Sequence, residues 1–207
     1  MKVKGIPALI LCGALLLSSA GCSTQETAAV TEAPAAPVET EAPVAEAAPD
    51  NSDDIFVSAY PAFEVTSQSL HDGKWDEVTA NTVAGKNASP ELSWEPVEGA
   101  STYVIYMIDL DTAYFIHWKS SDIIETSLPE GWAPSLDYVG PYPPPGSTHK
   151  YTVYVFALKN PVERVKGGVN GISPKVQEFM DSLDTDASGN TGNIIAVGRV
   201  TGNFTGK

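Results

Sequence analysis

Gly140-Pro141-Tyr142-Pro143-Pro144-Pro145-Gly146-Ser147-Thr148-His149-Lys150-Tyr151-Thr152-Val153-Tyr154-Val155-Phe156 joins a stiff loop to a run of β-branched and aromatic residues. Proline fixes φ and removes a backbone donor, so residues 140–146 cannot form the interior of a helix or of a sheet. Residues 151–156 are apolar at alternate and intervening positions alike. That pattern suits a central strand covered on both faces.

Three further runs read as strands on the same grounds: residues 63–67, 103–108 and 194–200. The second of these, Tyr103-Val104-Ile105-Tyr106-Met107-Ile108, is also apolar on both faces, so it too is expected at the centre of a sheet. Glycine and proline clusters separate the runs. One segment has helical character, with Ser173 as the expected cap, Pro174 in the first turn, and Val176, Phe179, Met180 and Leu183 on one stripe.

Toward the amino terminus the character changes. Met1-Lys2-Val3-Lys4 is followed by an apolar run from Ile6 to Leu17 and then by Ser18-Ser19-Ala20-Gly21-Cys22. This is the pattern of a signal peptide, and the run is short of the about 20 residues a permanent span needs. A cysteine directly after small residues marks a lipoprotein signal, so residues 1–21 are expected to be removed and Cys22 to be lipidated. Acyl chains anchor through about 0.8 kcal/mol per buried methylene. Residues 22–54 are rich in Ala, Pro, Glu and Thr and contain no Lys or Arg, so they are expected to form a disordered acidic tether. A flexible chain of that length reaches on the order of 30 Å. The folded domain is then expected over residues 55–207, on the extracytoplasmic face of a membrane.

Bulk composition narrows the function. A hydrophobic content of 43% in 207 residues is enough for a core. A net charge of −14, with only 12 Lys and Arg scattered along the chain, argues against nucleic acid as a partner. Both cysteines, Cys12 and Cys22, precede the domain, which therefore has no disulfide, thiolate metal site or cysteine nucleophile.

Three ordered segments then carry a resemblance. They are Ala88-Ser89-Pro90-Glu91-Leu92-Ser93-Trp94, then Met107-Ile108-Asp109-Leu110-Asp111 with Phe115-Ile116-His117-Trp118, and the proline-rich stretch from Gly140 to Tyr151. Ser127-Leu128-Pro129-Glu130-Gly131 and the run from Ile194 to Gly202 support them. The set resembles the signature of the phosphatidylethanolamine-binding protein family, in particular its bacterial Raf-kinase-inhibitor-like branch. The resemblance implies a mainly β fold, a Greek-key β-sandwich with a few short helices. It also implies a small anion pocket formed by Asp109, Asp111, His117, His149 and Tyr151 beside the loop that begins with Gly140 and Pro141.

Taken singly these residues have duller readings. Aspartates that close an apolar strand often begin a turn, and isolated histidines are commonly core or surface groups. His71 lies outside the matched segments and reads as a surface residue. Within the family pattern, the carboxylates are expected to orient and charge the histidines, because they would repel an anion themselves. Two histidines and two carboxylates could hold a metal, but nothing in their spacing requires one, so neither metal nor cofactor is expected. Three departures bear on the pocket: Leu110 and Ala113 stand where prolines are usual, and Tyr142 where a small residue is usual. Asn193 replaces a common histidine.

The leading expectation is a surface-anchored module that binds a small anionic ligand such as phosphate, a phosphorylated head group or a carboxylate. The alternative is a protein-interaction module, for example a protease inhibitor. An enzyme is the weaker reading, since no Gly-x-Ser-x-Gly elbow is present and only the hydroxyls of Ser147 and Thr148 lie near His149.

Overall fold

A computed structural model describes residues 49–207. The signal peptide, Cys22 and most of the expected tether lie outside the described residues. Among the described residues nine strands form two sheets: β1 Ala62–Phe63, β2 Leu70–His71, β3 Lys74–Trp75, β4 Leu92–Ser93, β5 Thr102–Asp109, β6 Phe115–Ile123, β7 Ser127–Leu128, β8 Thr148–Leu158 and β9 Ile194–Thr205. The main sheet runs β2-β3-β9-β8-β5-β6, with β1 added beside β9, and β4 pairs with β7 in a second sheet. The β5-β6, β5-β8 and β8-β9 pairings are antiparallel, whereas β1 and β3 lie parallel to β9.

The period of two in β5 sorts its side chains into two cores. Tyr103, Ile105 and Met107 join Trp118, Tyr151, Val153 and Val155 on one face, where Leu92 and Leu128 of the small sheet, with Trp94 just after β4, cover them. Val104, Tyr106 and Ile108 join Ile116, Tyr154 and Phe156 on the other. That second face is covered by helix α1, Val176–Asp181, through Val176 and Met180. All eight residues of β5 are buried, as a strand apolar on both sides requires. The fold is therefore mainly β, with a short helix on one face and a small sheet on the other.

Two local expectations change. The run 63–67 is not one strand: Phe63 pairs with Gly198 on β9, while Thr66 bridges Ser93 of β4, so the chain crosses here from one sheet to the other. Helix α1 begins at Val176, later than a Ser173 cap would place it. The Ser173 carbonyl accepts the Val176 N–H at 3.0 Å, and the preceding turn holds Pro174. The apolar stripe stands: Val176, Met180 and Leu183 are buried and Phe179 packs partly against them. Asn193 is a structural link, its amide donating to the carbonyls of Asn160 and Leu183, each at 3.0 Å.

Residues 50–54, at the end of the segment expected as tether, make contacts with the domain. Arg199 on β9 donates to Asn51 Oδ1 at 3.1 Å and to the Asp50 carbonyl at 2.9 Å, and it pairs with Asp53 and Asp54. Asn51 is 2% exposed and donates to the Val197 carbonyl at 2.9 Å. Asp54 accepts the Phe56 and Val57 N–H groups and the Tyr154 hydroxyl. The contacts of Arg199 and Val197 reach Asn51 and its neighbours across more than 140 residues, which local composition does not register.

Close approach of the edge segment to β9 depends on Gly198. A Cβ there would lie 2.4 Å from Val65 Cγ2 and 2.7 Å from the Phe63 ring. Gly198→Ala is expected to lower unfolding stability by about 1–3 kcal/mol through overpacking, measured by urea denaturation. An unchanged midpoint would show that Phe63 and Val65 can yield.

Candidate functional site

Strand register builds the site. Antiparallel pairing sets Asp109, the last residue of β5, opposite Tyr151 on β8. His149 lies two residues before Tyr151 and so shares its face. Its Nδ1 is 2.7 Å from Asp109 Oδ2 and 3.1 Å from Thr112 Oγ1. The other carboxylate oxygen, Asp109 Oδ1, accepts the Asp111 N–H at 2.8 Å. Asp109 is 3% exposed, so this buried carboxylate has partners on both oxygens.

His117 arrives by a different device. On β6, Trp118 pairs with Met107 but Ile116 pairs with Ile108, leaving His117 as the extra residue of a β-bulge. The bulge puts His117 on the same side as Trp118, toward Asp109 and Tyr151. Its backbone carbonyl accepts the Val139 N–H at 2.7 Å, and its Nδ1 donates to the Val139 carbonyl, also at 2.7 Å. A carbonyl can only accept, so Nδ1 carries a proton and Nε2 is the free ring nitrogen. The ring is 3% exposed and stacks edgewise on Tyr151, with centroids 5.1 Å apart. Burial pushes the His117 pKa below its ordinary 6.5, against opposing pulls from the Val139 carbonyl and Asp109.

Together these side chains enclose a cavity of about 200 Å³ lined by Asp109, Thr112, Phe115, His117, Tyr142, Pro143, Pro144, His149 and Tyr151. Four of the seven expected ligand-binding residues, Asp109, His117, His149 and Tyr151, are in that wall. The other three are nearby but serve the frame. Asp111 is exposed and its carboxylate accepts the Lys150 N–H at 2.7 Å, which ties the turn after β5 to β8. Gly140 packs where a Cβ would lie 2.0 Å from the Thr79 carbonyl oxygen, and its N–H donates to Asn87 Oδ1 at 2.6 Å. The Pro141 carbonyl accepts the Asn81 N–H at 3.0 Å. Gly140 and Pro141 thus anchor the loop, and the residues after them line the cavity.

Sequence reasoning missed Thr112 and Phe115 as lining residues. Phe115 precedes His117 by two, and strand alternation alone would have placed them on one face. Thr112 had no comparable signal, because its contact with His149 depends on the path of the turn after β5. Ala113 and Tyr114 in that turn have φ of 43° and 56°, so without prolines it adopts left-handed residues instead. Tyr142 leans over the mouth, its ring centroid 5.9 Å from those of both Phe115 and His117, and its hydroxyl donates to Asn170 Oδ1 at 3.0 Å. It narrows the entrance that a small residue would leave open. His71 is exposed and pairs with Asp76 at 2.9 Å, away from the cavity.

The Tyr151 hydroxyl is held well above its ordinary range by burial first and by the charge of Asp109 second, so it stays a neutral donor. The hydroxyls in the wall are those of Thr112, Tyr142 and Tyr151, whereas Ser147 and Thr148 lie outside it. Among the described residues no group of three or more His, Cys, Asp or Glu side chains is arranged to hold a metal ion.

Comparison with known proteins agrees with this architecture. The family model described as phosphatidylethanolamine-binding protein matches residues 66–205. A crystal structure of a phosphatidylethanolamine-binding protein homologue, CT736 of Chlamydia trachomatis, is similar with a TM-score of 0.54 and 24% identity, covering 70% of this chain and 99% of its own. Escherichia coli YbcL, described as a member of the mammalian PEBP family, is similar with a TM-score of 0.53 and 22% identity, over 70% of this chain and 99% of its own. At these identities the two structures speak for the fold. No curated protein sequence matches the chain. With more than half of its length matched by the family model, the chain belongs to the phosphatidylethanolamine-binding protein family, and the coarse role that membership supports is that of a binding module.

His117 should leave a signature in stability. Between its lowered pKa and 6.5 the unfolded chain binds a proton that the folded chain refuses, so stability rises with pH across that window and His117 adds no slope above it. The urea midpoint of wild type is therefore expected to fall more steeply than that of His117→Gln as pH is lowered from about 7 to about 5. Equal slopes in the two proteins would show that the ring is not held neutral.

Proposed function

We propose that the domain binds a small anionic group, such as phosphate, a phosphorylated head group or a carboxylate, in the cavity between β5, β6, β8 and the loop that carries Tyr142. The observation that carries this reading is the convergence of two imidazoles, His117 and His149, on one cavity, each with Nδ1 tied to a protein acceptor. Each ring is thereby held in orientation with Nε2 unpaired, and a protonated imidazole there offers an N–H to an oxygen of the ligand. The hydroxyls of Thr112 and Tyr151 add neutral donors. A cavity of about 200 Å³ fits a small head group, and prolines in its wall reduce the ordering cost on binding. The family is described by phosphatidylethanolamine binding, and CT736 is named as a homologue of such a protein, which is consistent with a phosphorylated head group.

Cys22 is proposed to hold the domain on the extracytoplasmic face of a membrane through attached lipid, with the acidic segment that follows as spacer. Among the described residues no helix is long and apolar enough to cross a membrane.

Isothermal titration of the protein with inorganic phosphate and with phosphoethanolamine tests the reading. Saturable binding is expected, and His149→Ala should weaken it by about tenfold or more, or about 1.4 kcal/mol. Absence of heat with either ligand between about pH 5.5 and about pH 7.5, the range in which imidazoles change charge, would remove the proposal.

A further inference from the structure

We infer that the cavity takes up its anion together with one proton, seated on the Asp109–His149 pair, so that a ligand oxygen is met by an imidazole N–H rather than by a lone pair. This rests on the anion-binding reading above and concerns the form in which the ligand is held.

Counting donors leads to the proton. His117 Nδ1 donates to the Val139 carbonyl, so the neutral ring presents a lone pair at Nε2. His149 Nδ1 meets Asp109 Oδ2 at 2.7 Å, and Asp109 Oδ1 is already occupied by the Asp111 N–H. With the carboxylate ionised, the neutral His149 ring also presents a lone pair at Nε2. If the shared proton sits on Asp109 instead, Nε2 of His149 carries a hydrogen, but the pair then holds one proton more in total. With Nδ1 directed at the ionised Asp109 carboxylate, a donor at Nε2 requires an added proton, whichever heavy atom holds the shared one.

Nothing else in the wall supplies a charged donor. The cavity contains no Lys or Arg, and Pro143 and Pro144 have no N–H. The Tyr142 hydroxyl is spent on Asn170. The unprotonated site thus offers an anion two lone pairs, one carboxylate and the hydroxyls of Thr112 and Tyr151. One proton from solvent turns an imidazole lone pair into a donor and brings the summed charge of Asp109, His117 and His149 from −1 to zero.

The groups around His149 favour it as the seat. It faces Asp109 from β5, Thr112 from the following turn, His117 from β6 and Tyr151 from its own strand, and its partner on β9 is the uncharged Phe204. Asp111 adds a second carboxylate nearby, on the Lys150 N–H. An imidazolium on His149 lies against Asp109, whereas one on His117 has only the neutral Val139 carbonyl and is opposed by burial. The transfer is balanced: solvent loses one proton, the pair gains it at His149 Nε2, and that N–H donates to a ligand oxygen. A ligand that brings its own proton satisfies the same count.

The full-length protein titrated with acetate, in two buffers of different ionisation enthalpy, reads the proton directly. At about pH 8 the expected result is uptake of about one proton per acetate bound, and by linkage the apparent Kd then rises about tenfold per pH unit there. In Asp109→Asn the amide can donate to His149 Nδ1, which leaves Nε2 protonated in the neutral ring. Uptake is then expected to fall toward zero and the pH dependence to flatten. Acetate binding by wild type without proton uptake would overturn the inference and leave the anion site standing. Uptake that stays near one in Asp109→Asn would overturn the assigned seat. Failure of both acetate and inorganic phosphate to bind wild type at any pH from about 5 to about 8 would overturn this inference and the anion-binding proposal together.

Discussion

The register of β5 on β8 is the constraint from which the site follows. Asp109 pairs with Tyr151 because Thr102 pairs with Leu158 and each intervening residue keeps step. A slip of one residue would turn Asp109 toward the core that holds Val104, Tyr106 and Ile108 and would remove it from His149. Two separate cores hold that register, one on each face of the sheet, and neither tolerates exchange of its side chains for those of the other. The same packing that stabilises the centre of the fold therefore positions the acid that orients the histidine.

The second imidazole is placed by irregularity. Without the bulge in β6, His117 and Trp118 would face opposite sides of the sheet, and the deep pocket for Trp118 and the cavity for His117 could not both be filled. The reciprocal bonds between His117 and Val139 fix the ring and at the same time tie β6 to the loop that frames the cavity mouth. That loop is held at its start by Gly140 against Thr79 and at its end by the Gly146 N–H on the Gly206 carbonyl at 3.0 Å. A pocket built in this way has little freedom left to lose when a ligand enters.

Much of this was legible in the sequence, and the parts that were not share a cause. The central strands were visible as runs apolar on both faces, and the stripe of α1 as a helical period. Asp109, His117, His149 and Tyr151 came from ordered motifs, and the structure gathers them around one cavity. Asp111, Gly140 and Pro141 belong to the same motifs but face the frame, a distinction that depends on which way a turn bends. The bulge at His117 has no local signature, since it is defined by pairing with another strand. The clasp of Arg199 on residues 50–54 was hidden in a stretch whose composition reads as tether, because its partners lie on the last strand.

The central claim is that His117 and His149 serve one binding site through their free Nε2 atoms. Imidazole ¹⁵N NMR during titration with inorganic phosphate tests it most directly, with exposed His71 as internal reference. The account predicts that the Nε2 signals of His117 and His149 move together along one binding curve while His71 stays in place. Movement of His71 alone, or curves for His117 and His149 with different midpoints, would contradict it.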